Sequence, residues 1–242
     1  PDVVFGCDIT ADNSTTYMSF FSQMDTYGDG YAGIGVWRAA FKPLVDRIAD
    51  TDIRLQWFCC DRSTGVTDAS GNRITLIRDT QSPVAVEYQA VKFIGTGRDN
   101  IKAGVFSGWE LGDYIYLRSE EAYMIKMEAL AHKGSAEAVT ELNSFMKTRQ
   151  PDYNYTFTNK ADLIEEIIYQ KRVEFWGEGL EYIDNRRLNI PVDRTDETWG
   201  AENNNHFSAG KFRYNQEDRP FLYQLPLSEI ENNSQLSPSD QN

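Results

Sequence analysis

A mainly α fold with irregular β and loop regions is predicted by how periodic and turn-rich segments alternate along the 242 residues. Residues 113–188 carry apolar side chains at helical spacing, whereas residues 1–112 and 189–242 hold short apolar runs among Gly, Asn and Asp. Apolar residues make up 40% of the chain and charged residues 25%, which is enough for a packed core. We therefore expect a loop-rich region at 1–112, helices at 113–188 and a loop-rich C-terminal segment at 189–242 that wraps the surface.

The first fifty residues predict a strand, a glycine-rich loop and a short helix. Pro1–Phe5 has the apolar and β-branched composition of a strand. A natural chain seldom opens directly on a strand, so we expect a further part of the protein to precede Pro1. Glycines are dense in Tyr27–Gly35, which suits a long surface loop. The spacing of apolar residues then predicts an amphipathic helix from Trp37 to about Asp50, entered near Pro43.

Residues 53–106 predict an irregular β region. Ile53–Phe58 and Ile74–Ile77 are short apolar runs on either side of a turn-forming stretch, and Val84–Ile94 is a third run of this kind. A last strand is predicted at Phe221–Leu225, close to the C-terminus.

Three helices follow from the periodicity of the central region. Tyr116, Tyr123, Met127 and Leu130 fall on one helical face, and Gly134 ends that helix. Ser135 caps a second helix that runs to about Arg149, with an apolar stripe formed by Ala138, Leu142, Phe145 and Met146. The two helices form an antiparallel hairpin of about 34 residues, the length of one tetratricopeptide unit. A third helix is predicted from Lys160 to Gly177, with Leu163, Ile167, Ile168 and Phe175 facing inward.

Charge and cysteine usage exclude several classes of function. A net charge of −13 repels phosphate backbones, so we expect no nucleic-acid partner. No run approaches the ~20 apolar residues that a membrane-spanning helix needs. The three cysteines are too few for a disulfide framework, and no Cys/His spacing suggests zinc. We expect neither a metal nor a cofactor.

Catalysis is not predicted. Glu121 and Glu128 lie about 10 Å apart along a helix, beyond the ~5–9.5 Å that glycosidase carboxylates need. We interpret them as structural partners of arginines such as Arg149, Arg172 or Arg187. There is no GxSxG nucleophile motif. The acidic stretch 193–205 lacks the spacing of a calcium-binding EF-hand loop.

Three segments resemble the C-terminal region of the SusD/RagB family. Tyr116–Ala129 is similar to the family's "LRxAExYLxxAEA" helix, and Gly134 and Leu142-Asn143 follow it. Lys171–Gly179 is similar to "RRxELxxEGxRxxDLRR", which continues here through Tyr182, Asp184 and Arg187. Leu225–Ile230 is similar to "IPxxEIxxNPxLxQN", with Asn233 and the closing Gln241-Asn242. Asp52-Ile53-Arg54 resembles the family's "DxR". The sequence departs from the pattern at Met127, Glu181 and Asn185.

The resemblance implies a function of capture without catalysis. Members of the family are mostly helical, with tetratricopeptide-like units packed against an irregular ligand-binding region, here residues 1–112. They bind oligosaccharides or polysaccharides at the outer surface of the outer membrane, where a lipid anchor holds them. They close over a TonB-dependent, SusC-like transporter and deliver the glycan to it. The lipidated cysteine would precede Pro1.

The resemblance also suggests where a ligand binds, because family ligand contacts often come from loops just before "DxR". A sugar ring presents an apolar face to flat aromatic rings, and its hydroxyls need polar partners. We expect Trp37 and Tyr31 to stack on the ligand, with Tyr27 beside them and Arg38 donating hydrogen bonds. Alternatively, Trp37 simply anchors the helix that follows. Trp57, Trp109 and Trp199 are lesser candidates, and Trp176 is expected to be core.

Two other functions make different structural demands. A helical-repeat module that binds a protein or peptide would need a contiguous apolar groove on the 116–149 hairpin. A hydrolase would need two carboxylates a water's width apart in a cleft, and nothing in the sequence supports that geometry.

Overall fold

The computed structural model describes residues 3–10, 12–13, 19–25, 30–32, 38–59, 63–67, 73–75, 88–93, 112–218 and 222–240. Tyr27, Trp37 and Trp109 lie outside these ranges, so the expectations placed on them stay predictions. The chain divides into two compact units, Pro1–Glu174 and Phe175–Asn242. The sequence-based division at 112 and 188 stays a prediction.

Helices account for most of the regular structure in the described residues, which confirms the predicted fold class. In the first unit they are α1 (Phe20–Met24), α2 (Lys42–Asp46), α3 (Ser119–His132), α4 (Glu137–Met146) and α5 (Lys160–Glu174). In the second unit they are α6 (Leu180–Leu188), α7 (Asp196–Trp199) and α8 (Leu227–Asn232). Single 3-10 turns occur at Ile53–Trp57, Ser208–Gly210 and Pro238–Asp240.

The strands of the described residues form four small antiparallel pairs. They are β1 (Val3–Cys7) with β6 (Tyr114–Arg118), β2 (Phe58–Cys59) with β5 (Gln89–Ala90), β3 (Ser63–Thr67) with β4 (Arg73–Thr75), and β7 (Val192–Asp193) with β8 (Arg213–Tyr214). The predicted strand at Pro1–Phe5 is therefore confirmed in β1. The predicted irregular β region at 53–106 is confirmed in part, as the two short antiparallel pairs β2 with β5 and β3 with β4.

Three sequence-based element assignments are wrong. Tyr116 lies on strand β6, not on the first central helix, because Tyr114–Arg118 pairs with β1 and the helix begins only at Ser119. Ile53–Trp57 is a 3-10 turn because the Asp52 side chain accepts a hydrogen bond from the Arg54 backbone N–H and caps it. Residues 222–226 contain no strand.

The helix predicted from Trp37 to Asp50 is much shorter in the structure. It spans Lys42–Asp46, with Pro43 in its first turn as expected. The chain leaves the helix at Arg47, and Asp52 then starts the 3-10 turn. A five-residue helix has little intrinsic stability, so packing must hold it.

The core of the first unit lies where α3 packs against both α4 and α5. The fully buried side chains there include Met124, Met127, Leu142, Met146 and Ile167. Removal of each such side chain from water stabilises the fold by about 1.5–3 kcal/mol. The predicted apolar stripes of the second and third helices are confirmed, since Ala138, Leu142, Phe145, Met146, Leu163, Ile167, Ile168 and Phe175 are all buried. The tetratricopeptide likeness of the hairpin stays a prediction.

Candidate ligand-binding site

Helix α1 positions Tyr31 through the segment 30–32. The backbone N–H of Ala32 donates to the carbonyl of Ser22 at 2.9 Å, and the N–H of Tyr31 donates to the Ser22 hydroxyl at 3.3 Å. Ser22 and Ala32 are completely buried, whereas Tyr31 remains 43% exposed. A Cβ atom at Gly30 would lie only 2.4 Å from the Ser22 hydroxyl, so this close approach requires glycine. The segment thus presents the Tyr31 ring from a fixed base.

Arg38 contacts the same helix. Its guanidinium donates to the Gln23 side-chain oxygen at 3.2 Å, and its backbone carbonyl accepts from the N–H of Ala90 at 2.7 Å. Gln23 is the neighbour of Ser22, so the structure brings Tyr31 and Arg38 to adjacent residues of α1. Of the four residues predicted to bind ligand, these two are placed together, and Tyr27 and Trp37 lie outside the described residues.

An aromatic cluster anchors α1. The Phe20 ring contacts Phe21, Phe93 and Tyr114, with the closest centroids, those of Phe20 and Phe93, 4.9 Å apart in an edge-to-face arrangement. The N–H of Phe20 also donates to the Tyr114 hydroxyl. A Cβ atom at Gly112 would collide with the Phe21 ring at 2.4 Å. Such ring pairs add about 0.5–1.5 kcal/mol each beyond their buried area, which offsets the weakness of a five-residue helix.

The cluster continues into an exposed row of rings that the sequence analysis did not identify. Tyr114 and Tyr116 alternate on β6 and therefore lie on one face, with their rings stacked at 6.2 Å. Phe5 on β1 follows at 5.5 Å from Tyr116. Tyr116 is 59% exposed and Phe5 is 63% exposed. Aromatic residues at positions 114 and 116 have the spacing of a β-strand. Because Tyr116 was assigned to a helix, the sequence analysis did not predict this row of exposed rings.

Three further tryptophans lie in the described residues, and the roles of Trp57 and Trp199 as lesser ligand candidates stay predictions. Trp57 is half-buried with the Lys92 ammonium 4.9 Å from its ring centroid. Trp199 is 37% exposed, and its indole N–H is held by the carbonyl of Asp193 at 2.9 Å. Trp176 is only half-buried, so its prediction as a core residue is wrong; its neighbour Phe175 is the buried side chain, at 4% exposure.

The motif residues meet in a buried charge cluster, which we call the Glu174 cluster. Asp52 accepts from Arg54 at 2.7 Å, and Arg54 reaches Glu174 at 3.4 Å. Glu174 also pairs with Arg149 at 3.1 Å and with Arg118 at 3.2 Å. Burial by itself would raise the pKa of Glu174, but hydrogen bonds and charges from the three arginines outweigh burial and hold this pKa below its ordinary value. A carboxylate enclosed in this way stabilises the fold and is shielded from a ligand.

Glu128 is buried and pairs with the Lys171 ammonium at 3.3 Å. Arg149, one of the three arginines named as possible partners, contacts Glu174 and Glu120. Glu128 therefore has the structural ion pair that the sequence predicts, and an arginine partner for Glu121 or Glu128 stays a prediction.

Two carboxylates of the acidic stretch 193–205 are bonded to other residues of the chain. Asp193 accepts from the hydroxyls of Thr195 and Thr198 and pairs with Arg213 at 3.0 Å. Asp196 pairs with Lys211 at 2.8 Å. Within the described ranges, no group of three or more His, Cys, Asp or Glu side chains is arranged to hold a metal ion. The described helices also include none long and apolar enough to cross a membrane.

The chain is similar to one family of proteins in both sequence and fold. The model of the SusD family matches residues 88–242, well over half of the chain. A SusD-like carbohydrate binding protein from Bacteroides vulgatus ATCC 8482 superposes with a TM-score of 0.65 at 22% identity, over 97% of this chain and 48% of that one. A SusD-like protein from Bacteroides fragilis NCTC 9343 gives a TM-score of 0.57 at 19% identity, over 100% of this chain and 54% of that one. No curated protein sequence matches the chain.

The helical hairpin, the irregular β pairings and the buried motif residues define a SusD-like fold. The chain belongs to the SusD family. It spans about half the length of the solved structures that it matches.

Proposed function

We propose that this chain is part of a cell-surface protein that captures oligosaccharides or polysaccharides at helix α1. The observation that carries the proposal is that Tyr31 and Arg38 contact two adjacent residues of the anchored helix α1. Tyr31 is exposed to take the apolar face of a sugar ring, and the Arg38 guanidinium, which contacts Gln23 on the same helix, would donate to hydroxyls. Trp37 and Tyr27 complete the stacking surface in this proposal.

The anchoring of α1 supports affinity as well as position. Binding an oligosaccharide costs the ordering of the ligand and of the side chains that contact it. Because the aromatic cluster and the hydrogen bonds of Ser22 already hold segment 30–32, little of that cost falls on this part of the protein. The exposed rings of Tyr116 and Phe5 offer a continuation for a longer glycan.

The wider role rests on family membership. The similar protein from Bacteroides vulgatus is described as carbohydrate binding, and the SusD family is associated with the bacterial outer surface. We propose that the whole protein is lipid-anchored at the outer membrane and hands its glycan to a SusC-like, TonB-dependent transporter. We further propose that it performs no catalysis, since the buried carboxylates Glu174 and Glu128 are engaged by cations rather than facing a substrate.

A glycan-array screen with product analysis tests the proposal. Wild-type protein is expected to bind at least one neutral glycan and to release no product. Tyr31→Ala and Arg38→Ala are expected to weaken that binding about tenfold, and Trp37→Ala and Tyr27→Ala to weaken it as well. Phe157→Ala is the matched control, because Phe157 is an aromatic residue of the same unit with 56% exposure.

Each outcome has a definite meaning. Array binding that Tyr31→Ala and Arg38→Ala leave unchanged contradicts the α1 site. Turnover of a bound glycan contradicts the non-catalytic role. Binding to peptides without binding to any glycan favours the helical-repeat, peptide-binding function.

A further inference from the structure

Helices α4 and α5 of the first unit present polar faces to water. The exposed positions of α4 are all polar, namely Glu137, Thr140 and Ser144. The exposed positions of α5 are mostly charged, and they are Lys160, Ala161, Asp162 and Glu165. A surface helix normally has this pattern, with an apolar side toward the core and a polar side toward solvent.

The exposed face of α3 is different, because apolar residues form a stripe along it. Ala122, Ile125 and Ala129 follow one another at spacings of three and four, so they lie on one side of the helix over about 10 Å. All three are exposed, and Ile125 is 52% exposed. Lys126, the next residue, reaches to Glu141 on α4 at 2.6 Å. Water therefore contacts a surface of alanine and isoleucine, which we call the α3 stripe.

The other side of α3 is apolar as well. Met124, Met127 and Ala131 are buried where α3 packs against α4 and α5. A helix with apolar residues on two sides is typical of one that packs on two sides. Strand β6, which runs directly into α3, adds exposed aliphatic side chains at Ile115 and Leu117, with 44% and 37% exposure.

The chemistry of the α3 stripe selects its partner. Alanine and isoleucine side chains carry no hydrogen-bonding group and no aromatic ring, so the stripe offers nothing to a sugar hydroxyl or to a phosphate. Helices that lie on membranes pair an apolar face rich in large side chains with many cations, and the α3 stripe has neither. Small side chains do allow two helix axes to approach to about 8 Å. The partner that fits is the apolar side of another α-helix.

The size of the α3 stripe favours a partner within the same polypeptide. An interface between separate proteins uses about 20–30 residues on each side, far more than the stripe and β6 together supply. A helix joined covalently to this chain has a high effective concentration and loses no free translation on packing. This chain covers only 48% and 54% of the solved structures that it matches, so proteins of this fold contain about as many residues again.

We propose that the α3 stripe packs against an α-helix from the part of the full-length protein that lies outside these 242 residues. That helix presents larger apolar side chains, which fill the space over Ala122 and Ala129 and lie on either side of Ile125. The contact is independent of the glycan site, since it uses no residue of α1. The outcome of the glycan array therefore neither supports nor contradicts it.

Photo-crosslinking in the full-length protein tests this contact. Benzoylphenylalanine replaces Ile125, and mass spectrometry identifies the crosslinked peptide. We expect a crosslink at the mass of one molecule, to a peptide that lies outside the 242 residues. The matched control carries the same group at Ser144, an exposed position of α4, and should not crosslink to that peptide. A crosslink from position 125 to a second copy, to another protein or only to residues 1–242, or no crosslink, overturns the proposal.

Thiol labelling gives a second measurement with smaller side chains. Ile125→Cys and Ala129→Cys are labelled with a maleimide in the full-length protein, and the rate at each position is measured on its own peptide. We expect labelling at both positions to be at least about tenfold slower than at Ser144→Cys, because a covered thiol reacts only when the structure opens locally. In urea all three should react equally. Native rates at positions 125 and 129 that equal the rate at 144, or protection that is lost on dilution, overturn the proposal.

Discussion

At the scale of single residues, one buried carboxylate explains why arginines stand at two of the motif positions. Glu174 is 2% exposed and is surrounded by Arg54, Arg118 and Arg149. Two of those arginines come from segments that resemble family motifs, far from Glu174 in sequence. These motif residues are therefore needed by the core, because each buried charge must have partners that compensate for its lost hydration.

Glu174→Gln is expected to destabilise the chain strongly. The amide keeps the size of the side chain but leaves the arginines without their shared counter-charge. Breaking a buried ion pair from one side costs about 3–5 kcal/mol. Urea unfolding monitored by circular dichroism measures this loss. The control is Glu165→Gln, because the Glu165 side chain is 76% exposed and its removal should change the free energy of unfolding by less than about 0.5 kcal/mol.

The same residue predicts an acid dependence of stability. The folded-state pKa of Glu174 lies below its ordinary value of 4.5, so the folded state holds the proton less tightly than the unfolded state. The stability that Glu174 contributes is therefore fully present above about pH 4.5 and is lost as the pH falls through the folded-state pKa. We expect the difference in unfolding free energy between wild type and Glu174→Gln to shrink below pH 4.5. A difference that stays constant down to pH 2 would contradict the ionised state of Glu174.

At the scale of elements, local propensity and long-range pairing compete. Residues 114–117 alternate aromatic and aliphatic side chains and could enter a helix, but β1 offers a hydrogen-bonding edge more than 100 residues away in the chain. The helices α3, α4 and α5 need no such partner for their backbones, and the apolar stripes of α4 and α5 are buried as their spacing predicts. Short elements depend on tertiary contacts, as the aromatic cluster around α1 illustrates.

Asn143→Ala tests how one helix holds a loop. The substitution removes both hydrogen bonds to the Tyr155 backbone, which together should contribute about 1–3 kcal/mol. We expect a lower unfolding free energy and faster hydrogen exchange at the Tyr155 amide, measured by NMR. Ser144→Ala is the control on the same helix, because Ser144 is exposed. Equal exchange rates at Tyr155 in both variants would show that the clamp does not order the loop.

At the scale of the whole molecule, the net charge of −13 governs which ligands approach. A strongly acidic surface repels anionic polymers, and that repulsion weakens as salt shortens the Debye length from about 30 Å at 0.01 M to about 8 Å at 0.15 M. The proposed capture function therefore selects against sulfated and uronic-acid-rich glycans in dilute salt.

Comparison of dextran with dextran sulfate measures this selection. The neutral polymer tests background binding without charge, and the sulfated polymer should bind more weakly at 0.01 M than at 0.15 M NaCl. Binding of neutral glycan hits from the array should change less than about twofold over the same range, because no counter-ions are released. Tight binding of dextran sulfate at low salt would contradict this prediction.

Composition and periodicity alone determined the fold class, the three central helices and the buried stripes of the second and third of them. These features depend on spacing within one segment, which the sequence displays directly. The family was also accessible, because its motif residues are required by the core and therefore recur at readable positions. Of the proposed ligand-binding residues, the sequence indicated Tyr31 and Arg38, although it could not show that both contact α1.

Only the tertiary structure decided which residues meet across long stretches of chain. The pairing of β1 with β6, the convergence of Arg54, Arg118 and Arg149 on Glu174, and a cleft around Tyr155 all join segments that are distant in sequence. Local spacing carries no information about such contacts, because the partners are selected by packing and charge compensation in the folded chain. For the same physical reason, the sequence predicted a helical position for Tyr116, whereas pairing with β1 places it on a strand.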